Sequence, residues 1–194
     1  MIDSNFRFPY QRLVIEPLLK RKWITSFSPT TITLYALLGG FLIPFFLYFQ
    51  LPLAALMSLA FSGFCDTLDG SLARHKKLTS PKGAALDITF DRLVEFSTLL
   101  GLYLYAPESR GLPVLLMLGS IFLCVTTFLV IGIFQENSSE KSFYYSSGLI
   151  ERAEAFIFFG LMILLPSLFV PLSILFTSLT FLTSIIRIYK FLKS

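Results

Sequence analysis

The chain has 194 residues, of which 55% are hydrophobic and 14% are charged, and its formal net charge is +4. Soluble domains carry about 25% charged residues, so this composition argues against a soluble enzyme and against a disordered chain. The 22 phenylalanines and the long apolar runs are typical of a protein that crosses a membrane several times. Cys65 and Cys124 both lie in apolar stretches and indicate no disulfide framework.

Residues 1–28 interleave basic and apolar side chains and lack the continuous apolar core of a cleavable signal peptide. The basic residues of this segment are Arg7, Arg12, Lys20, Arg21 and Lys22. The pattern predicts a juxtamembrane amphipathic helix that lies on an anionic leaflet. A solvated basic tail is the alternative interpretation.

Six apolar stretches are long enough to cross about 30 Å of hydrocarbon as α-helices. They lie near residues 31–49, 52–73, 84–106, 112–134, 149–166 and 169–190. Five prolines lie at or near the predicted breaks: Pro52, Pro107, Pro113, Pro166 and Pro171. The sequence therefore predicts an all-α, polytopic integral membrane protein, with an interfacial segment at 1–28 and a six-helix transmembrane domain at 29–194.

Lysines and arginines are concentrated in alternate connections of this predicted topology. The N-terminal segment holds five, and the others are Arg74, Lys76, Lys77, Lys82, Lys141, Arg187, Lys190 and Lys193. The opposite loops carry only Arg110. Because cytoplasmic loops are enriched in basic residues, both termini are predicted to be cytoplasmic, in the inner membrane if the source is a bacterium.

Small residues in the first two spans allow their helices to pack closely in lipid. They are Gly39, Gly40, Ser58, Ala60, Ser62 and Gly63. These are ordinary packing features and carry no chemistry.

Two pairs of aspartates lie at the same predicted membrane boundary. Asp66 and Asp69 are three residues apart at the end of the second span, and Asp87 and Asp91 are four apart near the start of the third. Each pair shares one helix face. An aspartate at the bilayer centre costs about 2.5–3.5 kcal/mol on insertion scales, so these acids indicate a functional site.

Two interpretations of the four acids stay open at this point. They can pair with Arg74, Arg92 and the lysines as a structural network, or they can bind divalent cations. Four carboxylates without cysteine or histidine favour a hard ion such as Mg²⁺ or Mn²⁺. His75 is interpreted as solvated rather than as a ligand, and Glu95 as a salt-bridge partner rather than a ligand.

The residues around the acids suggest phosphoryl chemistry. Gly70 and Ala73 leave space beside Asp66 and Asp69, and Gly83 allows the next helix to begin close to the acids. The side chains of Arg74 and Lys82 can bind phosphate oxygens. Divalent cations, basic side chains and free space together favour phosphoryl transfer.

Residues 66–91 resemble the signature of the CDP-alcohol phosphotransferases, also called CDP-alcohol phosphatidyltransferases. The motif D-x2-D-G-x2-A-R-x8-G-x3-D-x3-D matches at all its fixed positions, from Asp66 to Asp91. A weaker match at Ser28–Thr33 resembles the family's Pro-Asn-x-x-Thr, with Thr30 in place of the asparagine.

The resemblance implies an enzyme that transfers a phosphate-linked group from a CDP-linked donor to an alcohol and releases CMP. It implies two divalent cations, Mg²⁺ or Mn²⁺, held by Asp66, Asp69, Asp87 and Asp91. Asp91 would be the general base. The nucleotide site would comprise Asp66, Asp69, Gly70, Ala73 and Arg74. The resemblance also implies a homodimer, and we expect CDP-diacylglycerol as the donor and no nucleic-acid partner.

Acceptor choice is expected to lie outside the fixed positions of the signature, and the candidate acceptor-binding residues are Lys82, Lys141 and Arg152. The stretch from Gly148 to Glu154 resembles the Glu-Arg-x-Glu-Arg of inositol-phosphate-using members, but Ala155 replaces the second arginine. Glycerol 3-phosphate is the predicted acceptor because it is common in the family. Inositol or inositol phosphate is the alternative. Arg152 can grip an acceptor phosphate or form an ion pair at the helix end.

The predicted function is therefore that of a transferase of phospholipid biosynthesis. A cation transporter that uses the acids as an ion path is the rival from another class. A transport path favours acids spread through the membrane, whereas these four lie at one boundary. A third interpretation, a catalytically silent family member, is disfavoured by the intact signature.

Overall fold

The computed structural model describes residues 10–134 and 148–193, and these residues form helices and no strand. The helices are α1 (Glu16–Leu19), α2 (Lys22–Thr25), α3 (Pro29–Tyr48), α4 (Pro52–His75), α5 (Pro81–Tyr105), α6 (Pro107–Phe134), α7 (Arg152–Leu164) and α8 (Phe169–Lys193). A π-helical turn at Gln11–Ile15 precedes α1, and a 3₁₀ turn at Pro166–Leu168 precedes α8. The chain divides into two compact units, residues 2–105 and residues 106–194, here the N-terminal and C-terminal units.

The longer helices α3 to α8 lie at the six predicted positions. By length and composition, the described residues contain three helices able to cross a membrane: α3, α6 and the stretch Pro166–Lys193 that includes α8. The charged residues in α4 and α5 lower their hydropathy, and α7 has 13 residues, about 20 Å of helix. The structure thus supports an all-helical integral membrane protein, and the six crossings stay a prediction.

The predicted start of the fourth span near residue 112 is wrong, because α6 begins at Pro107 and continues through Pro113. Pro107 suits the first helical position, where the missing N–H has no intrahelical partner. Pro113 removes one backbone hydrogen bond near the helix start, and membrane-spanning helices contain proline more often than soluble helices do.

The N-terminal segment is helical but broken. The π-helical turn and α1 are separated from α2 at Arg21, which has extended backbone angles (φ −84°, ψ 120°). The described part therefore does not form the single amphipathic helix that we predicted. Arg7 and the rest of residues 1–9 lie outside the described residues. The segment does have two faces: Ile15 and Ile24 are buried, whereas Leu13 is 75% exposed and Trp23 is 63% exposed.

In the N-terminal unit, α3 packs against both α4 and α5. Small residues permit this contact, as predicted. The Ser58 hydroxyl donates to the Gly39 carbonyl at 2.9 Å, and the Ser62 hydroxyl donates to the Ala36 carbonyl at 2.8 Å. On the other side of α3, a β-carbon at Gly40 would lie 2.6 Å from Cγ2 of Val94 in α5. Helix α3, which contains no acidic residue, therefore packs against both of the helices that carry the aspartates, α4 and α5.

In the C-terminal unit, α8 packs against α6 and α7. Phe159 of α7 and Phe176 of α8 are fully buried, and their ring centroids lie 5.6 Å apart. Met162 and Phe169 complete the same apolar core. Because each aromatic side chain buries a large apolar area, these contacts supply much of the packing energy of this unit.

Two arginines that the topology argument treats as loop charges are buried in the C-terminal unit. Arg110 is 4% exposed, and its guanidinium lies 4.2 Å from the ring centroid of Phe169. Arg187 is 6% exposed and donates through Nη1 to the Cys124 carbonyl at 3.1 Å. Their long side chains reach carbonyls and rings inside the unit, which offsets part of the cost of burying the charge.

We expect Gly40→Ala to destabilise the protein by about 1–3 kcal/mol, the usual cost of overpacking. The new methyl group would meet Val94 at 2.6 Å, so α3 and α5 would have to separate. Thermal unfolding in detergent measures the effect.

Gly119→Ala is the matched control, because a β-carbon at Gly119 would have no described atom within 4 Å outside its own helix backbone and its chain neighbours. Both changes add the same methyl group within a helix, so their difference isolates the packing clash. Equal unfolding temperatures for the two variants would contradict the packing that we describe.

Candidate active site

The four aspartates are carried by two helices that a short connection joins. Asp66 and Asp69 lie in the last part of α4, and Asp87 and Asp91 lie in the first part of α5. Helix α4 ends at His75. Two residues later Lys77 has a left-handed backbone (φ 57°), and the amide of Leu78 donates to the Ala73 carbonyl at 2.9 Å. This reversal returns the chain so that α5 begins beside the end of α4.

Three of the carboxylates meet at this turn. One oxygen from each of Asp66, Asp69 and Asp87 lies within 4.8 Å of the others. Asp69 is 5% exposed, and the other two are partly buried. The prediction that the two helix faces meet is confirmed for these three residues. Carboxylates this close repel one another unless a cation or a proton compensates their charge. The all-oxygen donor set fits a hard divalent cation.

Asp91 lies one turn beyond Asp87 on α5 and is not part of this three-carboxylate group. Its Oδ2 is 3.9 Å from Nη2 of Arg92. Nη1 of Arg92 lies closer to Glu95, at 2.7 Å from Oε2. Glu95 is 5% exposed, and its predicted role as a salt-bridge partner is confirmed. Because Glu95 holds Arg92 at the shorter distance, the contact of Arg92 with Asp91 is the weaker of the two.

Two small residues of the signature, Gly70 and Ala73, are partly exposed on α4. A β-carbon at Gly70 would have Nη1 of Arg74 as its nearest neighbour, at 3.5 Å. The arginine side chain therefore folds back along the helix and lies over Gly70. Its Nη2 donates to the Ser71 hydroxyl at 3.1 Å. Ala73 is partly exposed beside it.

The residues at the start of α5 form a helix cap. The amide of Gly83 donates to the Ser80 hydroxyl at 3.1 Å, and a β-carbon at Gly83 would lie 3.3 Å from that oxygen. The close contact at Gly83 is therefore with the cap of its own helix. Lys82 is exposed in the same turn.

Two of the predicted acceptor residues follow α6, and of these the structure describes Arg152 but not Lys141. Arg152 is the first residue of α7, and its guanidinium lies 5.5 Å from the ring centroid of Phe156. The neighbouring glutamates form a capping box, in which Glu154 Oε2 accepts from the Glu151 amide at 3.2 Å. Both glutamates therefore bind backbone amides at the helix start. Lys141 lies outside the described residues.

Sequence reasoning missed Arg187 as a buried cation. Its Nη2 would lie 3.1 Å from a β-carbon at Gly148, in the segment that leads into α7. The Thr183 hydroxyl, one turn earlier on α8, accepts from the amides of Leu149 and Ile150, each at 3.2 Å. An arginine inside a long apolar helix is the signal that could have identified it, because charges in such helices are costly.

Comparisons with known proteins agree on one family. The family described as CDP-alcohol phosphatidyltransferase matches residues 27–189. The chain is similar to the inner membrane protein YnjF of Escherichia coli, with 32% identity over 84% of this chain and 82% of that protein.

Two further relatives have names that state an activity. The archaetidylinositol phosphate synthase of Pyrococcus horikoshii is 34% identical over 48% of this chain and 50% of its own length. The phosphatidylinositol phosphate synthase of Mycobacteroides abscessus is 26% identical over 74% of this chain and 65% of its own length.

The region that matches the family contains the complete signature and the three-carboxylate group of Asp66, Asp69 and Asp87. It also covers most of the described helices. The family's members are transferases that use CDP-linked donors and alcohol acceptors in a membrane. The chain therefore belongs to the CDP-alcohol phosphatidyltransferase family and is an integral membrane transferase of phospholipid synthesis.

Proposed function

We propose that this enzyme transfers a phosphatidyl group from CDP-diacylglycerol to the hydroxyl of a small phosphorylated alcohol and releases CMP. The observation that carries the proposal is the meeting of Asp66, Asp69 and Asp87 within 4.8 Å, inside an intact family signature. Transfer at a diphosphate builds negative charge on the leaving group, and clustered acids that hold cations suit that chemistry.

In this proposal Asp66, Asp69 and Asp87, together with Asp91, hold two divalent cations, Mg²⁺ or Mn²⁺. Such cations, when bound, stabilise charge on the donor diphosphate and on the departing CMP. Asp91 accepts the proton of the attacking hydroxyl. Asp91 lies one turn beyond Asp87 on α5, outside the three-carboxylate group, and a carboxylate within hydrogen-bond reach of the hydroxyl can take its proton.

The nucleotide binds beside the acids, at Gly70, Ala73 and Arg74, with Asp66 and Asp69 completing the site. The absence of a side chain at Gly70 leaves room for a flat group over α4. The Arg74 guanidinium lies at the edge of that room, where its planar fork can bind phosphate oxygens.

The acceptor is a phosphate ester in this proposal. Arg152 and the buried Arg187 supply positive charge in the C-terminal unit, and Lys82 and Lys141 are the further candidates from the sequence. Glycerol 3-phosphate is the acceptor that we predict from the sequence. Inositol phosphate is the second candidate, since two relatives are named as inositol phosphate lipid synthases and since Glu151, Arg152 and Glu154 match part of the corresponding motif.

The remaining parts of the proposal concern the membrane. Residues 29–194 form one domain with six crossings, both termini and the active site face the cytoplasm, and the enzyme is a homodimer. Residues 1–28 lie at the membrane surface. The exposed Leu13 and Trp23, next to Arg12 and Lys22, support this placement, because such side chains suit a headgroup layer.

We expect purified enzyme with CDP-diacylglycerol and Mg²⁺ to release CMP when one alcohol of a panel is added. The panel contains glycerol 3-phosphate, inositol phosphate, inositol, serine and choline. A phosphorylated alcohol should be the active acceptor, and the lipid product identifies it by mass spectrometry. Turnover with a neutral alcohol alone would contradict the acceptor class. Metal-dependent ion flux in liposomes without CMP release would instead support the transporter.

Asp91→Asn should lower kcat by about 10²-fold or more, the usual contribution of a general base, while CDP-diacylglycerol still binds. Glu108→Gln is the control, because it removes one exposed carboxylate that is not among the four aspartates of the signature. Steady-state CMP release measures kcat for both variants. Near-normal turnover in Asp91→Asn would show that another group takes the proton.

Asp66→Asn and Asp87→Asn should each weaken the binding of Mn²⁺ and raise the thermal stability of the metal-free protein. The second effect follows because each change removes one of the mutually repelling charges. Titration of Mn²⁺ followed by electron paramagnetic resonance, with unfolding curves in EDTA, measures both effects. Mn²⁺ affinity equal to that of Glu108→Gln would rule out ligation by these residues.

A further inference from the structure

The hydroxyl of Ser71 makes three hydrogen bonds. It donates to the Thr67 carbonyl at 2.8 Å and accepts from Arg74 Nη2 at 3.1 Å and from Gln11 Nε2 at 3.2 Å. A hydroxyl has one proton and two lone pairs, so this group is fully used. Ser71 is 6% exposed, so few water molecules can replace these partners. Replacing Ser71 would therefore affect both donors together.

Arg74 is exposed, and its bond to Ser71 restrains the position of the guanidinium. An unrestrained arginine loses rotamer entropy when it is fixed on a ligand. The bond to Ser71 holds the guanidinium back along α4, where Nη1 lies over Gly70. This arrangement orders the side chain before a ligand arrives, which lowers the cost of binding.

Gln11 reaches Ser71 because the N-terminal segment is packed against α4. Ile15, four residues after Gln11, is 1% exposed. It belongs to an apolar cluster with Ile24, Ile32, Ala36, Cys65, Leu68 and Leu72. Leu68 and Leu72 are sequence neighbours of Asp69 and Ser71, so the packing surface adjoins the polar face of α4. A second hydrogen bond between the N-terminal segment and the end of α4 is donated by the Lys76 ammonium to the Phe27 carbonyl at 2.8 Å.

We infer that Ser71 and Gln11 are positioning residues for Arg74, through which the docked N-terminal segment orders the nucleotide site. Gln11 orients the Ser71 hydroxyl, and Ser71 fixes the guanidinium over Gly70. This inference rests on the proposed function, in which Arg74 binds the cytidine nucleotide. It assigns the N-terminal segment a role in donor binding as well as at the membrane surface.

The test uses the full-length protein in nanodiscs and has two readouts. Calorimetry with CDP and Mg²⁺ gives nucleotide affinity without turnover, and CMP release gives KM and kcat. Ser71→Ala should raise the Kd for CDP and the KM for CDP-diacylglycerol about fivefold, as expected for a lost charge-assisted hydrogen bond at a partly exposed site. At saturating donor, kcat should change by less than about twofold, because the lost interaction is made equally in the ground and transition states.

Conservative and combined variants distinguish loss of Arg74 positioning from a general destabilisation of the fold. Ser71→Thr keeps the hydroxyl and should restore affinity to within about twofold of the wild type. Gln11→Leu should raise the Kd about threefold, and adding it to Ser71→Ala should have little further effect, because both act through one oxygen. Ser120→Ala is the control: Ser120 is 3% exposed and its hydroxyl donates to the Met117 carbonyl at 2.8 Å within its own helix.

The outcomes distinguish this inference from the proposed function. One outcome is that Arg74→Ala weakens CDP binding while Ser71→Ala and Gln11→Leu have the same Kd for CDP as Ser120→Ala. In that case the inference about Ser71 and Gln11 is wrong, and the assignment of Arg74 to the nucleotide site is kept. If the losses of CDP affinity in Ser71→Ala and Gln11→Leu add fully in the double variant, the two residues act independently. The inference that Gln11 acts on Arg74 through Ser71 is then wrong. If the wild type neither binds CDP nor releases CMP with any acceptor, the proposed function fails and the inference fails with it.

Discussion

Electrostatic repulsion among Asp66, Asp69 and Asp87 is the constraint on which the rest of the N-terminal unit depends. Their carboxylate oxygens lie within 4.8 Å, and Asp69 is almost completely buried. Three negative charges at that separation are unfavourable, because little water can screen the charge of the buried Asp69. Two features of the fold oppose the repulsion: the turn at Lys77 that joins α4 to α5, and the packing of both helices on α3. A bound cation would remove it, which couples the stability of the unit to its chemistry.

The close contacts of α3 with α4 and α5 are made by uncharged residues. Gly39 and Gly40 of α3 allow α4 and α5 to approach closely, and Ser58 and Ser62 fix the contact through backbone carbonyls. Rigid packing of this kind suits a site that must hold several oxygen atoms at fixed separations, because a small helix shift would change every metal–ligand distance. The connection between α4 and α5 is short, so the signature residues are local in sequence as well as in space.

The parts predicted best from the sequence are those with strong local signals. The helix positions follow from the length of the apolar runs, and the meeting of Asp66, Asp69 and Asp87 follows from helix spacing and a short turn. The predicted start of the fourth span near residue 112 is too late, because a proline near a helix start costs little and α6 continues through Pro113. The buried state of Arg187 depends on Cys124, and the bond between Gln11 and Ser71 joins residues 60 positions apart. Such contacts are set by tertiary packing, and no local pattern indicates them.

The central claim is that the fold brings three carboxylates together to bind metal. The most direct test is anomalous diffraction from crystals of the protein soaked with Mn²⁺ and CDP. We expect at least one anomalous peak at about 2.0–2.2 Å from oxygen atoms of Asp66, Asp69 and Asp87, the distance typical of a small hard cation. Crystals that hold Mn²⁺ only elsewhere, with these three carboxylates paired to basic side chains, would contradict the claim.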